Sequence, residues 1–198
     1  MTELVEKLFA VHDALTEAGL AHAFGGAIAL AYCVDEPRGT RDLDVNIFTP
    51  AENARHVLAT MPDGVEVAGK HVQEVLRDGQ TRLWWSGTPV DLFLNNHPFH
   101  EEVAEGIVWV PIEGRDAPVL DCASLVVFKA LFDRTKDWAD IEAVAECTPA
   151  QVESAATALA SMVGEDDPTC QRLRSVLAQP PKRAPRIDEV LGGRSNSS

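Results

Sequence analysis

Aspartates placed inside apolar strand patterns constrain this chain more than any other feature. Residues 43–47 alternate between apolar and polar side chains, which predicts a half-buried strand. Asp42 and Asp44 then project from one face of that strand, while their apolar neighbours face the core. Asp91 lies in a second apolar segment, 90–93. Charged residues are depleted in strands and adjacent carboxylates repel one another, so the pattern indicates a cation held between these side chains.

The chemistry of three carboxylates predicts which cation that is. Hard oxygen ligands suit Mg²⁺ or Mn²⁺. Three strand aspartates can hold two such ions, an arrangement that clamps the attacking and leaving oxygens in phosphoryl transfer. Asp42, Asp44 and Asp91 are therefore candidate metal ligands. The alternative is that they are solvated carboxylates at strand ends.

A pair of glycines precedes the aspartates. Gly25 and Gly26 stand between a predicted strand, 22–24, and a predicted helix of small residues, 27–33. Backbone amides at a helix N-terminus bind anions, and glycine lets a phosphate approach the backbone closely. The pair is a candidate phosphate cradle, although tight packing of the helix on a sheet would also explain it.

The remaining periodicity predicts an α/β (α+β) fold, with a mixed sheet and helices followed by a helical C-terminal part. Strands are expected at 65–67, 71–76, 81–85, 90–94 and 107–110, the third and fourth forming a hairpin. Helices are expected over 3–18, from Thr49-Pro50 to about 61, over 121–132 and 136–145, from 149, and over 168–177. The expected domains are an α/β core over 1–115, a helical part over 116–178 and a Pro-rich basic flexible tail over 179–198.

Composition indicates a cytoplasmic protein without a membrane partner. No stretch approaches the roughly 18 consecutive apolar residues of a transmembrane helix, and the N-terminus has no signal-peptide pattern. The four cysteines are expected to be free buried thiols, because closely spaced pairs are missing and no export signal is present. They are Cys33, Cys122, Cys147 and Cys170.

Net charge argues against a nucleic-acid partner at long range. The chain has 31 acidic and 17 basic side chains, a formal charge of −14, and such a protein repels polyanions. Residues 170–198 carry six basic and two acidic residues, so the acidic excess lies in the rest of the chain. A function that involves nucleotides must therefore depend on local groups of cations.

Two sets of residues resemble a known family. Phe24-Gly25-Gly26, the Thr40–Val45 segment and the Val90–Phe93 segment resemble the DNA polymerase β-type nucleotidyltransferase superfamily. A later block has the form K-x4-R-x-K-D-x2-D and is similar to the AbiEii-type toxins of bacterial type IV toxin–antitoxin systems, including mycobacterial relatives. Its members are Lys129, Arg134, Lys136, Asp137 and Asp140. The resemblance covers about residues 22–145.

The resemblance implies roles for the acidic and glycine residues. Asp42 and Asp44 would bind the metal and a nucleoside triphosphate, and Asp91 would complete the metal site and act as base for the incoming hydroxyl. Gly25 and Gly26 would cradle the phosphates.

It also implies roles for the basic block. Lys129 and Lys136 would contact the triphosphate with help from Arg134, while Asp137 and Asp140 orient these cations or join the site. The alternative is an ion-paired helix surface, in which Lys136 pairs with Asp140 or Asp133. Arg41 would touch the substrate or only balance the charge of the neighbouring aspartates.

The activity implied by the resemblance is a nucleotidyltransferase toxin. It would transfer a nucleoside monophosphate from an NTP to RNA, above all a tRNA 3′ end, and so block translation, with Mg²⁺ or Mn²⁺ as cofactor and a cognate antitoxin protein as partner. Two alternatives stay open. One is an antibiotic-modifying transferase that acts on a small molecule, and the other is a catalytically inactive nucleotidyltransferase fold that serves as a binding module.

Overall fold

The computed structural model describes residues 2–179. Within them a mixed sheet of seven strands has the order β3-β4-β5-β2-β1-β7-β6. The strands are β1 (His22–Phe24), β2 (Leu43–Pro50), β3 (Val65–Glu66), β4 (Gln80–Trp85), β5 (Thr88–Asn95), β6 (Val108–Ile112) and β7 (Arg115–Val119). The α/β fold class predicted from the sequence is confirmed.

Helices are interspersed with the strands as far as β7, and the described chain after β7 contains helices only. They are α1 (Glu3–Glu17), α2 (Gly26–Cys33), α3 (Ala54–Ala59), α4 (Gly69–Asp78), α5 (Phe99–Glu105), α6 (Cys122–Phe132), α7 (Thr135–Cys147), α8 (Pro149–Val163) and α9 (Pro168–Leu177). Helix α6 begins at the N-cap Asp121, whose carboxylate accepts a hydrogen bond from the Ser124 amide. It ends at Asp133, which adopts the left-handed conformation.

The pairing of the central strands positions the aspartates. Strand β2 runs antiparallel to β1 and parallel to β5, and β5 forms a hairpin with β4. In the β2–β5 register Asp44 lies opposite Asp91. Residues in register on adjacent strands share a face of the sheet, so these two carboxylates are neighbours.

Alternate residues of these strands form the core beneath the aspartates. Leu43, Val45 and Leu92 are fully buried, as the alternation in the sequence requires. Helix α6 packs against α2, α7 and α8. The strand that carries the aspartates and the helix that carries Lys129 are therefore both parts of one rigid hydrophobic core.

Several sequence predictions of elements were wrong. Thr49 and Pro50 do not begin a helix: they end β2, and the helical segment starts after a short 3₁₀ turn at Ala51–Asn53. Residues 71–76 lie in α4 instead of a strand, because His71 and Val75 are buried on one helical face. Helix α5 and strand β7 were not predicted.

Most other predicted elements are confirmed within one to three residues. They include α1, β1, α2, the β4–β5 hairpin and the four helices α6 to α9. The turn of the hairpin is formed by Ser86 and Gly87, both with positive φ, which is the backbone that a two-residue hairpin needs.

The prediction that all four cysteines are free thiols was wrong. Cys33 at the end of α2 and Cys122 at the start of α6 form a disulfide, with their Cα atoms 5.6 Å apart. Only Cys147 and Cys170 are free thiols among the residues described. The sequence could not reveal this pairing, because the two residues are 89 positions apart and neither belongs to a short cysteine motif.

The domain division at residue 115 stays a prediction. The last strand of the sheet, β7, begins at that position and extends to Val119. The tail predicted over 179–198 lies outside the described residues except for Gln179. No helix in the part of the chain that the structure describes is long and apolar enough to cross a membrane.

Candidate functional site

The approach of Asp44 to the start of α2 explains the glycine pair. A Cβ on Gly26 would lie 1.8 Å from Oδ2 of Asp44, and Gly26 has φ +53°. A Cβ on Gly25 would lie 2.9 Å from Nδ2 of Asn46. Both the close contact and the backbone conformation therefore require glycine at position 26. The pair brings the N-terminus of α2 against a carboxylate of the candidate metal site.

Asp44 is the carboxylate with the least compensated charge. Burial raises its pKa, and the charges of Asp42 and Asp91 raise it further, to about 6. Lys129 and Lys136 oppose this rise without cancelling it. The ionised form of Asp44 is therefore disfavoured until another cation is placed beside it.

Asp42, just before β2, has the opposite balance. Burial would raise its pKa, but the Thr40 hydroxyl, its own backbone amide, Lys136 and Arg38 together hold the pKa below its usual value. The Thr40 hydroxyl donates a short hydrogen bond to Oδ1 of Asp42. Asp42 is therefore ionised and oriented at neutral pH.

Asp91 is held by an arginine from the neighbouring strand. Arg82 lies opposite Asp91 in the β4–β5 register and donates two hydrogen bonds to it, of 2.7 Å from Nε and 2.6 Å from the terminal nitrogen. This two-point geometry is the strongest form of an arginine–carboxylate contact. The charges of Asp42 and Asp44 also act on Arg82 and help to raise its pKa.

The donor set fits Mg²⁺ or Mn²⁺ in chemistry. It consists of carboxylate oxygens, and burial, together with the charges of Asp42 and Asp91, raises the pKa of Asp44 to about 6. Asp42 and Asp44 are therefore the residues that fit such an ion. Among residues 2–179, however, no group of three His, Cys, Asp or Glu side chains is arranged to hold a metal ion. Arg82 already occupies one acceptor site on each oxygen of Asp91, so it competes with a cation for this carboxylate.

The basic block forms a buried network instead of a simple row of cations. Lys129, only 5 % exposed, donates a hydrogen bond of 2.7 Å to Asp140 and lies 3.5 Å from a carboxylate oxygen of Asp137. Arg134 donates to Asp137 at 2.5 Å and 3.2 Å. Asp137 and Asp140 thus both contact Lys129, and Asp137 also contacts Arg134; that they orient these cations for a substrate stays a prediction.

Arg38 was missed by the sequence analysis. It lies in the loop between α2 and β2 and donates three hydrogen bonds of 3.0–3.3 Å to Asp140, 102 positions away. Arg38 and Lys129 hold the pKa of Asp140 below its usual value, although burial would raise it. The loop before Asp42 is thereby tied to α7.

Lys136 and Arg41 differ from Lys129 in exposure. Both are exposed, and Lys136 acts on Asp42 and Asp44 through its charge. The ion pairs considered for Lys136 are absent from the described part of the chain. Asp140 binds Arg38 and Lys129 instead. Asp133 accepts hydrogen bonds from Trp138 and Arg172.

A cavity of about 540 Å³ opens beside these residues. Its polar wall includes Gly26, Asp44 and Lys129. Apolar side chains of β5, α6 and the end of α8 also line it, as do Arg134 and Asp137. The cavity therefore joins the candidate metal and phosphate groups to an apolar surface.

The structure brings five of the eleven site residues predicted from the sequence to one cavity. They are Gly26, Asp44, Lys129, Arg134 and Asp137. Asp42 and Arg41 line a second, more open recess, together with Arg38, Gly39 and Thr40. The residues that were missed, Arg38 and Arg82, are cations whose partners lie far away in the sequence or on another strand, and neither stands in a recognisable motif.

Comparison with known proteins shows the fold. No protein-family model matches the sequence, and no curated protein matches it. The structure is similar to that of ANT(2″)-Ia in complex with adenylyl-2″-tobramycin, with a TM-score of 0.52 and 16 % identity over 88 % of this chain and 98 % of that one. The chain therefore has the fold of ANT(2″)-Ia.

Weaker likenesses involve two further proteins. An antigenic nucleotidyltransferase-like protein from Paracoccidioides brasiliensis matches with a TM-score of 0.47 and 18 % identity over 87 % of this chain and 92 % of that one. A putative nucleotidyltransferase from H. pylori matches with a TM-score of 0.43 and 15 % identity, over 89 % and 91 %.

Proposed function

We propose that the protein is a metal-dependent nucleotidyltransferase. It would transfer a nucleoside monophosphate from a nucleoside triphosphate to a hydroxyl group and release pyrophosphate. The observation that carries the proposal is the single cavity in which Asp44, Gly26 and Lys129 meet. A carboxylate, a helix N-terminus and a lysine are the groups that a triphosphate and its cation need at one place.

The acidic residues would hold the cation and accept a proton. Asp42 and Asp44 would bind Mg²⁺ or Mn²⁺, which supplies positive charge to the phosphate oxygens when bound. The acceptor oxygen attacks the α-phosphorus, the bond to the β-phosphate breaks, and Asp91 takes the hydroxyl proton. Each oxygen of Asp91 now accepts one hydrogen bond from Arg82, which leaves a lone pair on each for the hydroxyl proton.

The basic residues would bind the triphosphate. An ammonium group has three donors, and those of Lys129 face Asp140 at 2.7 Å and Asp137 at 3.5 Å. One donor is left for a phosphate in the cavity. Lys136 and Arg134 are exposed and would contact the outer phosphates. Arg41 would balance the charge beside Asp42.

RNA is the acceptor that we propose, and within RNA a tRNA 3′ end, so that the protein would act as a translation-blocking toxin with a cognate antitoxin. The K-x4-R-x-K-D-x2-D block supports this acceptor through its similarity to the AbiEii-type toxins. Four of its residues, Lys129, Arg134, Asp137 and Asp140, form one ion-paired network, and the fifth, Lys136, lies on the same helix as the two aspartates.

A small cationic acceptor is the second candidate. The acidic excess of the chain, −14 overall, attracts cations and repels RNA at long range. The similar structure of ANT(2″)-Ia is in complex with adenylyl-2″-tobramycin, a derivative of the small cationic molecule tobramycin. A protein that modifies amino sugars would therefore use the same carboxylates with a different acceptor surface.

Transfer of label from each NTP tests the proposal. Wild type and Asp44→Asn are incubated with Mg²⁺, α-labelled NTPs and either total tRNA or an aminoglycoside. Label on tRNA supports the RNA acceptor, and label on the aminoglycoside alone supports the second candidate. Wild-type protein that binds NTP but labels nothing would contradict catalysis and favour an inactive binding module. Asp63→Asn, which changes an exposed aspartate outside the cavity, is the matched control.

A further inference from the structure

The mouth of the cavity exposes large apolar side chains. Phe132 at the end of α6 is 41 % exposed, and Leu131 and Val163 beside the same cavity are 43 % and 40 % exposed. Isolated exposed apolar residues are ordinary, but a group of them around one opening marks a place where a ligand binds.

Phe132 contacts both a cation and a second aromatic ring. The guanidinium carbon of Arg134 lies 4.8 Å from the centre of the Phe132 ring. The ring of Phe93 lies 5.7 Å away at an angle of 58°. Arg134 is itself fixed by Asp137, which is completely buried. The aromatic group is therefore oriented before any ligand arrives.

The position of Phe132 relates it to the proposed phosphate site. Lys129 and Phe132 are three residues apart on α6 and share a helical face, with a rise of about 4.5 Å between them. Both line the cavity. A nucleotide whose phosphates lie against Lys129 would have its ribose and then its base in the same cavity, which Phe132 also lines.

We propose that Phe132, supported by Arg134 and Phe93, stacks on the base of the nucleoside triphosphate. The inference depends on the proposed function, because it assigns the phosphates to the Lys129 end of the cavity. A planar base suits this surface because aromatic rings and guanidinium groups both bind π-systems face to face. Stacking accepts every base, so the contribution of Phe132 is similar for all four nucleotides.

Binding of nucleotides with and without a base tests the inference. The affinities of wild type, Phe132→Leu and the control Trp109→Leu are measured with Mg²⁺ for the four NTPs and for inorganic tripolyphosphate. Trp109 is an aromatic residue, 57 % exposed, on β6 outside the cavity. Phe132→Leu is expected to lower the affinity for every NTP by about tenfold and to leave the affinity for tripolyphosphate unchanged. Trp109→Leu is expected to change neither affinity.

The outcomes separate this inference from the proposed function. If wild type binds NTP and Phe132→Leu binds it equally well, the stacking role is wrong and the transferase proposal stands. If wild type binds neither NTP nor tripolyphosphate, both are wrong. A loss confined to the KM of the acceptor would also overturn the stacking role.

A second variant covers a failure of Phe132→Leu to fold. NTPs are expected to quench the tryptophan fluorescence of Phe132→Trp more than that of wild type. Tripolyphosphate is expected to cause no such additional quenching. Equal quenching in Phe132→Trp and wild type would overturn the inference.

Discussion

The charged side chains of the central strands and those of α6 and α7 differ in how well opposite charges balance them. On β2 and β5 the carboxylates of Asp44 and Asp91 are neighbours, and burial and their repulsion raise the pKa of Asp44 to about 6. On α6 and α7 the buried Lys129 has both Asp137 and Asp140 as partners. The charge of the buried lysine is therefore balanced by two neighbouring carboxylates, whereas Asp44 on the strand keeps a raised pKa despite Lys129 and Lys136.

This difference indicates separate tasks. A network that satisfies its own charges fixes positions, because its members are held by several partners at once. A cluster that retains excess charge destabilises the folded chain and binds a counter-ion strongly. We therefore assign the binding of the cation to the strands and the alignment of the triphosphate to the helices.

Removing Lys129 should have the largest effect on stability. Lys129→Met leaves Asp137 and Asp140 buried with fewer partners, and breaking a buried ion pair in this way costs about 3–5 kcal/mol. The free energy of unfolding from urea titrations checks this value. Lys136→Met is the matched control, and equal stability of the two variants would contradict the assignment of Lys129 to a buried network.

Replacing Asp44 should stabilise the protein when no metal is present. The rise of the pKa from 3.8 to about 6 corresponds to about 3 kcal/mol of destabilisation above pH 6. Asp44→Asn is expected to recover most of it at pH 7.5. The gain should shrink as the pH falls from 6 towards 4, since the folded wild type then takes up the proton that relieves the charge. Chemical unfolding of both proteins in EDTA across this range measures the difference, and a gain that is constant with pH would refute its electrostatic cause.

Releasing Asp91 should have a smaller effect on stability. Arg82 is 54 % exposed in its side chain, so Arg82→Met should cost no more than about 1 kcal/mol. Asp91 then becomes available to a cation, and the affinity for Mn²⁺ should rise severalfold. Calorimetric titration measures it, with Arg77→Met as control because Arg77 pairs with Asp78 on the surface. Weaker Mn²⁺ binding by Arg82→Met would show that the arginine supports the site instead of competing for it.

Lys136→Met should have the smallest effect on stability. Lys136 is exposed, and the described residues give it no ion pair, so the free energy of unfolding should change by less than about 0.5 kcal/mol. Its charge still acts on Asp42 and Asp44. The KM for NTP should therefore rise while the unfolding curve stays the same, and an unchanged KM would remove Lys136 from the triphosphate site.

The sequence allowed the strands with their aspartates and the helices of the basic block to be predicted, because each has a local signal. Alternation identified β2, and the Asp121 cap identified α6. Contacts between distant segments gave no such signal. The Cys33–Cys122 disulfide and the Arg38–Asp140 contact join positions 89 and 102 residues apart. Only the three-dimensional structure reveals such contacts.

Local signals also failed where two patterns compete. Thr49-Pro50 is typical of a helix start, but Thr49 is buried at the end of β2, and the pairing of that strand with β5 decides its structure. In α4 the apolar residues are too few to separate a helix from a strand by periodicity alone. Gly79 in the left-handed conformation ends that helix.

Thermal unfolding with and without Mg²⁺ tests the contrast between the two regions most directly. At pH 7.5 the account predicts that Mg²⁺ raises the Tm of wild type and leaves that of Asp44→Asn unchanged, while Asp44→Asn has the higher Tm in EDTA. An equal rise of Tm with Mg²⁺ in both proteins, or a lower Tm for Asp44→Asn in EDTA, would contradict the claim that the strand carboxylates bind a cation that relieves their repulsion.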